Sequence, residues 1–118
     1  MNVIDLDVLR PDAEIVKIGG KEIDVSFIPC GIAFELDEIM QDVFAITKES
    51  LDNDPAMQKK AFDIGVRLCS AFCKHIYPEM NENWFRSRAT SNQVTKFAQA
   101  IQKTILENYR QIAEHSKN

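Results

Sequence analysis

Cys69 and Cys73 stand four apart in an apolar run, with His75 two residues beyond and Cys30 far upstream. Four residues is about one helical turn, so the two thiols share a face and supply two of the four ligands that structural zinc requires. Such sites usually draw their ligands from close C-x-x-C pairs, and the chain has none. A cysteine nucleophile needs a histidine beside it. Cys73 and His75, two apart on a helix, point in different directions, and His115 belongs to a tail expected to fray. Cys69 and Cys73 also share a stripe with Phe62, Phe72 and Ile76, where free cysteine reads as a small buried hydrophobe. Glu35, Asp37, Glu38 and Asp42 offer carboxylates to a cation. They lack the loop and glycine spacing of a calcium site, so they read as a charged solvent face. Gly19-Gly20 lacks the G-x-x-x-x-G-K-[ST] spacing of a phosphate loop. The residues therefore predict no catalytic, cofactor-binding or metal-ligating site, and the chain reads as a non-enzyme.

Trp84 and Phe85 follow a polar stretch and sit beside Arg86 and Arg88. Aromatics with arginines are typical interface anchors, and they equally suit a core contact between two helices. Together with Phe97, Ile101 and Ile105 of the last helix, these four are the candidate partner-binding residues. Arg88 to Val94 faintly suggests the start of a DNA-reading helix. The glycine turn of a helix-turn-helix is missing, and the net charge of −4 opposes the basic footprint that nucleic acid demands.

That charge is unevenly spread. Met1 to Asp54 holds 13 acidic and 4 basic side chains, whereas Trp84 to Asn118 holds 2 and 6. An acidic front and a basic tail attract each other within one molecule or between copies. The 118 residues, 45% hydrophobic and 27% charged, match one ordinary globular domain. No apolar run approaches the ~20 residues of a membrane span. The start is acidic and has no basic, apolar secretory pattern. Three cysteines are too few for a disulfide scaffold and fit a reducing cytoplasm.

The elements follow from patterning. The expected fold is mainly α with a small β part, a single domain over 1–118 with an N-terminal β-hairpin packed on a three- to four-helix body. Residues 1–14 form an extended leader with a turn near Pro11. Residues 15–28 form the hairpin, with Gly19-Gly20 in a two-residue turn. That register opposes Ile18 to Lys21, Lys17 to Glu22 and Val16 to Ile23. It sets Val16, Ile18, Ile23, Val25 and Phe27 on one face. The body spans 32–114. Ile32 to about Ser50 repeats apolar residues at helical spacing, and Leu51 to Asp54 breaks it. Asp54 caps a helix with Pro55 at its first position, running to Tyr77 before Pro78. This most hydrophobic segment is the expected centre of the core. Trp84 to Arg88 suits a short helical turn. Thr90 with Gln93 makes a capping box for a last helix from about Ser91 to Glu114, striped by Val94, Phe97, Ala98, Ile101, Ile105, Tyr109 and Ile112.

Ile4 to Pro11, and then Val16-Lys17-Ile18-Gly19-Gly20-Lys21-Glu22-Ile23-Asp24-Val25, resemble the opening of small tail assembly chaperones of long-tailed bacteriophages and prophages. Asn83-Trp84-Phe85 before a final amphipathic helix is similar too. One proline, Pro29, stands where that family has a short proline-rich exit from the hairpin. The resemblance implies a non-enzymatic protein without cofactors, acting in the host cytoplasm. It implies that the chain coats the tape measure protein, keeps it soluble and recruits tail tube subunits; the expectation of a homo-oligomer comes from the charge split instead. The acidic balance and the lack of a long apolar run, rather than the resemblance, lead to the expectation of no nucleic-acid and no membrane partner. The alternative from the residues alone is a small bacterial adaptor or regulatory helical module that binds a partner helix or self-associates.

Overall fold

Two glycines turn the chain at its front. In the computed structural model, which describes residues 2–46 and 48–116 (the side chains of 48–50 and 112–116 excepted), Gly19 and Gly20 take φ of 57° and 76°. These left-handed values are what a tight hairpin turn asks for, and glycine adopts them without a Cβ clash. Strands β1 (Ile15–Ile18) and β2 (Lys21–Asp24) pair antiparallel across the turn. Ile18 faces Lys21, Lys17 faces Glu22 and Val16 faces Ile23, as the alternation predicts. The Val25 N–H donates to the Glu14 carbonyl at 2.9 Å and extends the ladder by a rung. Ile18, Ile23 and Val25 are buried, Val16 and Phe27 half-buried, and Lys17 and Glu22 exposed.

Asp54 accepts the Ala56 N–H at 2.9 Å and opens α3 (Pro55–Cys73). This helix is the centre of the core. Val66, Leu68, Cys69, Phe72 and Cys73 have at most 1% of their surface exposed. Thr90 and Gln93 cap α5 (Ser91–Ser116) reciprocally, each accepting the other's backbone N–H at 3.1 and 2.8 Å. Asn81 caps α4 (Glu82–Arg88) by accepting the Trp84 N–H at 2.9 Å. The fraying expected from His115 onwards is corrected at His115 and Ser116, which continue α5; Lys117, Asn118 and the expected place of Ile112 on the last stripe fall outside the described residues and side chains.

Three boundaries differ from expectation. The helix expected over Ile32 to Ser50 divides into α1 (Ala33–Phe44) and a short α2 (Lys48–Asn53), so the break falls after Phe44 and Leu51 to Asn53, expected as the break, are helical. The Ala45 and Ile46 N–H groups turn back to Gln41 and Val43 at 3.2 and 3.1 Å and close the helix. Val43 and Ile46 both still pack on the core, so the apolar period runs through the break and conceals it. α3 stops at Cys73 rather than Tyr77. A tightened turn, with the Ile76 N–H on the Cys73 carbonyl at 2.9 Å, delivers the chain to Pro78, whose ring disfavours helix at the preceding residue. In the leader, Asp5 accepts the Asp7 N–H at 3.1 Å and caps a 3₁₀ turn over Leu6–Leu9, where an extended chain was expected. The short α2 and α4 raise the helix count to five among the described residues.

The hairpin lies on the helices of its own chain. The Thr104 hydroxyl of α5 donates to the Val25 carbonyl at 2.6 Å. The Tyr77 hydroxyl donates to the Glu22 carbonyl at 3.3 Å. Lys21 reaches Glu79 at 2.6 Å and lies over the Tyr77 ring. Buried residues of the hairpin and of α1, α3, α4 and α5 join one apolar cluster. No helix among the described residues is long and apolar enough to cross a membrane.

Candidate functional site

The seven candidate partner-binding residues do not form one surface. Phe85, Phe97, Ile101 and Ile105 are core side chains, each at most 2% exposed. The Phe85 and Phe97 rings meet edge to face at 6.2 Å. The expectation of an exposed apolar stripe on the last helix is therefore corrected: α3 and the hairpin already cover it. Trp84 is half-buried and packs edge-on to Phe85 at 5.0 Å. A Cβ on Gly19 would come within 2.9 Å of two Trp84 ring carbons, so the indole seats the hairpin turn on α4. Arg86 pairs with Asp63 at 2.9 Å. Arg88 is exposed at the edge of a depression shared with Gly19, Lys21, Glu79 and Trp84. The aromatics take the core-contact role and leave only the two arginines outermost.

Of the groups weighed for chemistry, Cys69, Cys73, Glu35, Asp37 and Asp42 are engaged structurally, while Cys30, Glu38 and His75 are exposed. Cys69 and Cys73 are fully buried, while Cys30 is exposed. Burial pushes the Cys69 thiol up to about 12 and raises Cys73 as well, which opposes thiolate formation and with it nucleophilic or ligand chemistry. Glu35 pairs with Lys74 at 3.3 Å and Asp42 with Arg67 at 2.9 Å. Asp37 accepts the Tyr109 hydroxyl. Burial, the hydrogen bond and the negative charge of Asp37 together push Tyr109 up to about 12. No group of three or more His, Cys, Asp or Glu among the described residues is placed to hold a metal ion.

An apolar groove lies elsewhere. The end of α1, α2 and facing sides of α3 and α5 enclose a volume of about 500 Å³. Val43, Ile46, Leu51, Phe62, Val94 and Ala98 line it, and Gln58, Thr95, Gln99 and Gln102 edge it. None of the described residues lining it is titratable, so its chemistry is apolar contact with amide and hydroxyl donors at the rim. Gly65 forms the floor. A Cβ there would meet Ala98 and Val94 at 3.7 and 3.8 Å, ordinary contact distances. The fold thus tolerates a methyl at this position, and its absence deepens the groove. Periodicity could not show this. Each apolar stripe reads as core until the packing leaves part of it uncovered. The one available signal was the unusually wide stripe of Ala61, Phe62 and Gly65.

A second apolar surface is the leader. Val3, Ile4, Leu6, Val8 and Leu9 are 76%, 84%, 67%, 74% and 69% exposed, with Asp5 and Asp7 between them. Isolated exposed hydrophobics are normal, but five within seven residues are an unusual concentration of exposed apolar side chains. No protein-family model, curated protein or solved structure matches the chain.

Proposed function

We propose that this protein is a non-enzymatic assembly chaperone of the phage tail type, which binds an apolar helix of the tape measure protein in the host cytoplasm during tail assembly. The open groove between α2, α3 and α5 carries the reading. Its apolar floor and amide rim suit the apolar stripe of an amphipathic helix, the helix-in-groove mode of recognition. A volume of about 500 Å³ takes a few client side chains, so a long client needs many copies, each weakly held.

Co-expression with a phage tape measure protein is the test. The expected result is a soluble client that elutes with this chain. An insoluble client, or a soluble one eluting alone, refutes the reading. The alternative, a bacterial adaptor, uses the same groove for another partner helix. It is favoured if tail tube and tape measure genes are not neighbours.

A further inference from the structure

β1 has an outer edge that the helices leave open. In a two-residue hairpin the pair flanking the turn, here Ile18 and Lys21, exchanges both ladder bonds, and bonded pairs then alternate along the strands. Val16 with Ile23 is the next such pair, and the Val25 N–H on the Glu14 carbonyl at 2.9 Å marks the one after it. The backbone N–H and C=O groups of Ile15 and Lys17 therefore point away from β2. Among the described residues no hydrogen bond meets them. The outer edge of β2 differs, since its Glu22 carbonyl accepts the Tyr77 hydroxyl at 3.3 Å.

Beside the open edge lies a depression of about 250 Å³, floored by Val16, Ile18 and Phe97 and rimmed by Gln93 and Lys96 of α5. No β2 residue lines it, so it opens on the β1 side. Gln93 and Lys96 leave α5 about half a turn from Ala98 and Gln102, which face the groove. Three cations flank the edge: Lys17 on the strand, Lys96 across the depression, and Arg88 beyond the Gly19 end. All three are exposed, and none makes an ion pair among the described residues. Glu22 opposes Lys17 from inside the hairpin, on the side away from the edge.

We propose that β1 accepts a third strand from a partner protein, an extended segment in which an acidic residue stands between apolar ones. Directly opposed strand residues share a face, so the residue exchanging bonds with Lys17 stands beside the lysine side chain and is favoured as a carboxylate. Its two neighbours point to the other face, over Val16, Ile18 and Phe97, and are favoured as apolar. Backbone bonds supply the affinity and alternate side chains the selectivity, the mode of β-strand addition. From Ile15 to Gly19 the edge runs about 13 Å at 3.3 Å per residue, which carries the segment from Lys96 towards Arg88. A second copy is a poor occupant. Antiparallel pairing of two β1 strands about Lys17 would set lysine against lysine, and like charges directly opposed repel. Nucleic acid calls for a broader basic footprint than three side chains. The edge is separate from the groove, so the proposal stands whether or not the groove holds a client helix.

The probes are short labelled peptides in which valine alternates with glutamate or with lysine, together with polyglutamate and a single-stranded oligonucleotide. Fluorescence anisotropy reads affinity, and hydrogen exchange followed by NMR reads the place of binding. The valine–glutamate peptide should bind, more weakly at high salt, and should slow exchange at the Ile15 and Lys17 amides. The other probes should bind about tenfold more weakly or not at all. Lys17→Glu should lower affinity for the valine–glutamate peptide about fivefold or more and favour the valine–lysine peptide instead. Ile15→Pro removes an outward N–H without breaking a rung of the hairpin and should weaken binding of the valine–glutamate peptide similarly. Urea unfolding shows that each variant is folded, and the exchange pattern of the wild type decides the matter if one is not. No binding of the valine–glutamate peptide overturns the proposal. So does binding that leaves the two amides unprotected, equal binding of polyglutamate or the oligonucleotide, or an affinity that either folded variant leaves unchanged.

Discussion

Replacing Gly65 with alanine should make the protein more stable and the groove poorer. Gly65 sits in the interior of α3, where glycine costs about 1 kcal/mol relative to alanine because its backbone has more freedom to lose. The added methyl would meet Ala98 and Val94 at 3.7 and 3.8 Å, so no neighbour must move. Part of the ~0.8 kcal/mol expected for burying one carbon is forfeited, because the methyl lines an open groove. The sum is a stabilisation of about 1 kcal/mol, which for a chain of this size raises Tm by roughly 3–5 °C. Urea unfolding followed by circular dichroism gives the first quantity. The change should appear in the midpoint, with the slope unchanged. Client retention in the co-expression assay gives the second, and should fall. A Gly65→Ala protein less stable than the wild type would show that the glycine serves close helix packing, and would refute its assignment as the floor of a site.

Two further expectations follow from the fold. Gly19→Ala places a Cβ within 2.9 Å of the Trp84 ring at φ +57°, whereas Gly20→Ala at φ +76° meets nothing within 4 Å. Both should cost about 1–2 kcal/mol for the left-handed backbone, with about 1 kcal/mol more at Gly19 for the displaced indole. That excess should vanish in a Trp84→Ala background, and an excess that persists there contradicts the packing of the turn on Trp84. The second concerns alkali. Tyr109 is raised from 10.0 to about 12 in the folded protein, so the unfolded chain loses this proton first. Stability from this group is complete below pH 10 and declines as pH rises towards about 12, because proton release then favours the unfolded state. The difference in urea midpoint between wild type and Tyr109→Phe, followed against pH, should shrink over that window, and a difference constant across it rejects the Asp37 contact.

The parts of the fold that were legible in the sequence are those fixed by neighbours along the chain. A Gly-Gly pair between alternating β-rich runs sets the hairpin register, because a slip of one residue would turn Ile18 and Ile23 to water. Asp54-Pro55 and Thr90 with Gln93 name two helix starts through local hydrogen bonds. The break after Phe44 was not legible, since Val43 and Ile46 keep the apolar period on either side of it. The candidate site was less legible still. Phe97, Ile101 and Ile105 make an amphipathic stripe, and such a stripe has the same pattern whether it faces its own α3 or a client. The groove forms where α5 lies against the consecutive α1, α2 and α3, so only the packing reveals it. The leader's apolar residues were visible as letters, but their exposure required knowing that the hairpin's apolar face is already filled by the helices of its own chain.

The most direct measurement compares the wild type with T95E/Q99E in co-expression with the tape measure protein, with each protein's unfolding curve recorded alongside. Both changed residues are exposed and border the groove, so the folded state should be unaffected. The account predicts that the variant unfolds at the wild-type urea concentration, yet leaves the client insoluble. A variant that is equally stable and keeps the client in solution as well as the wild type does would contradict the groove as the client site.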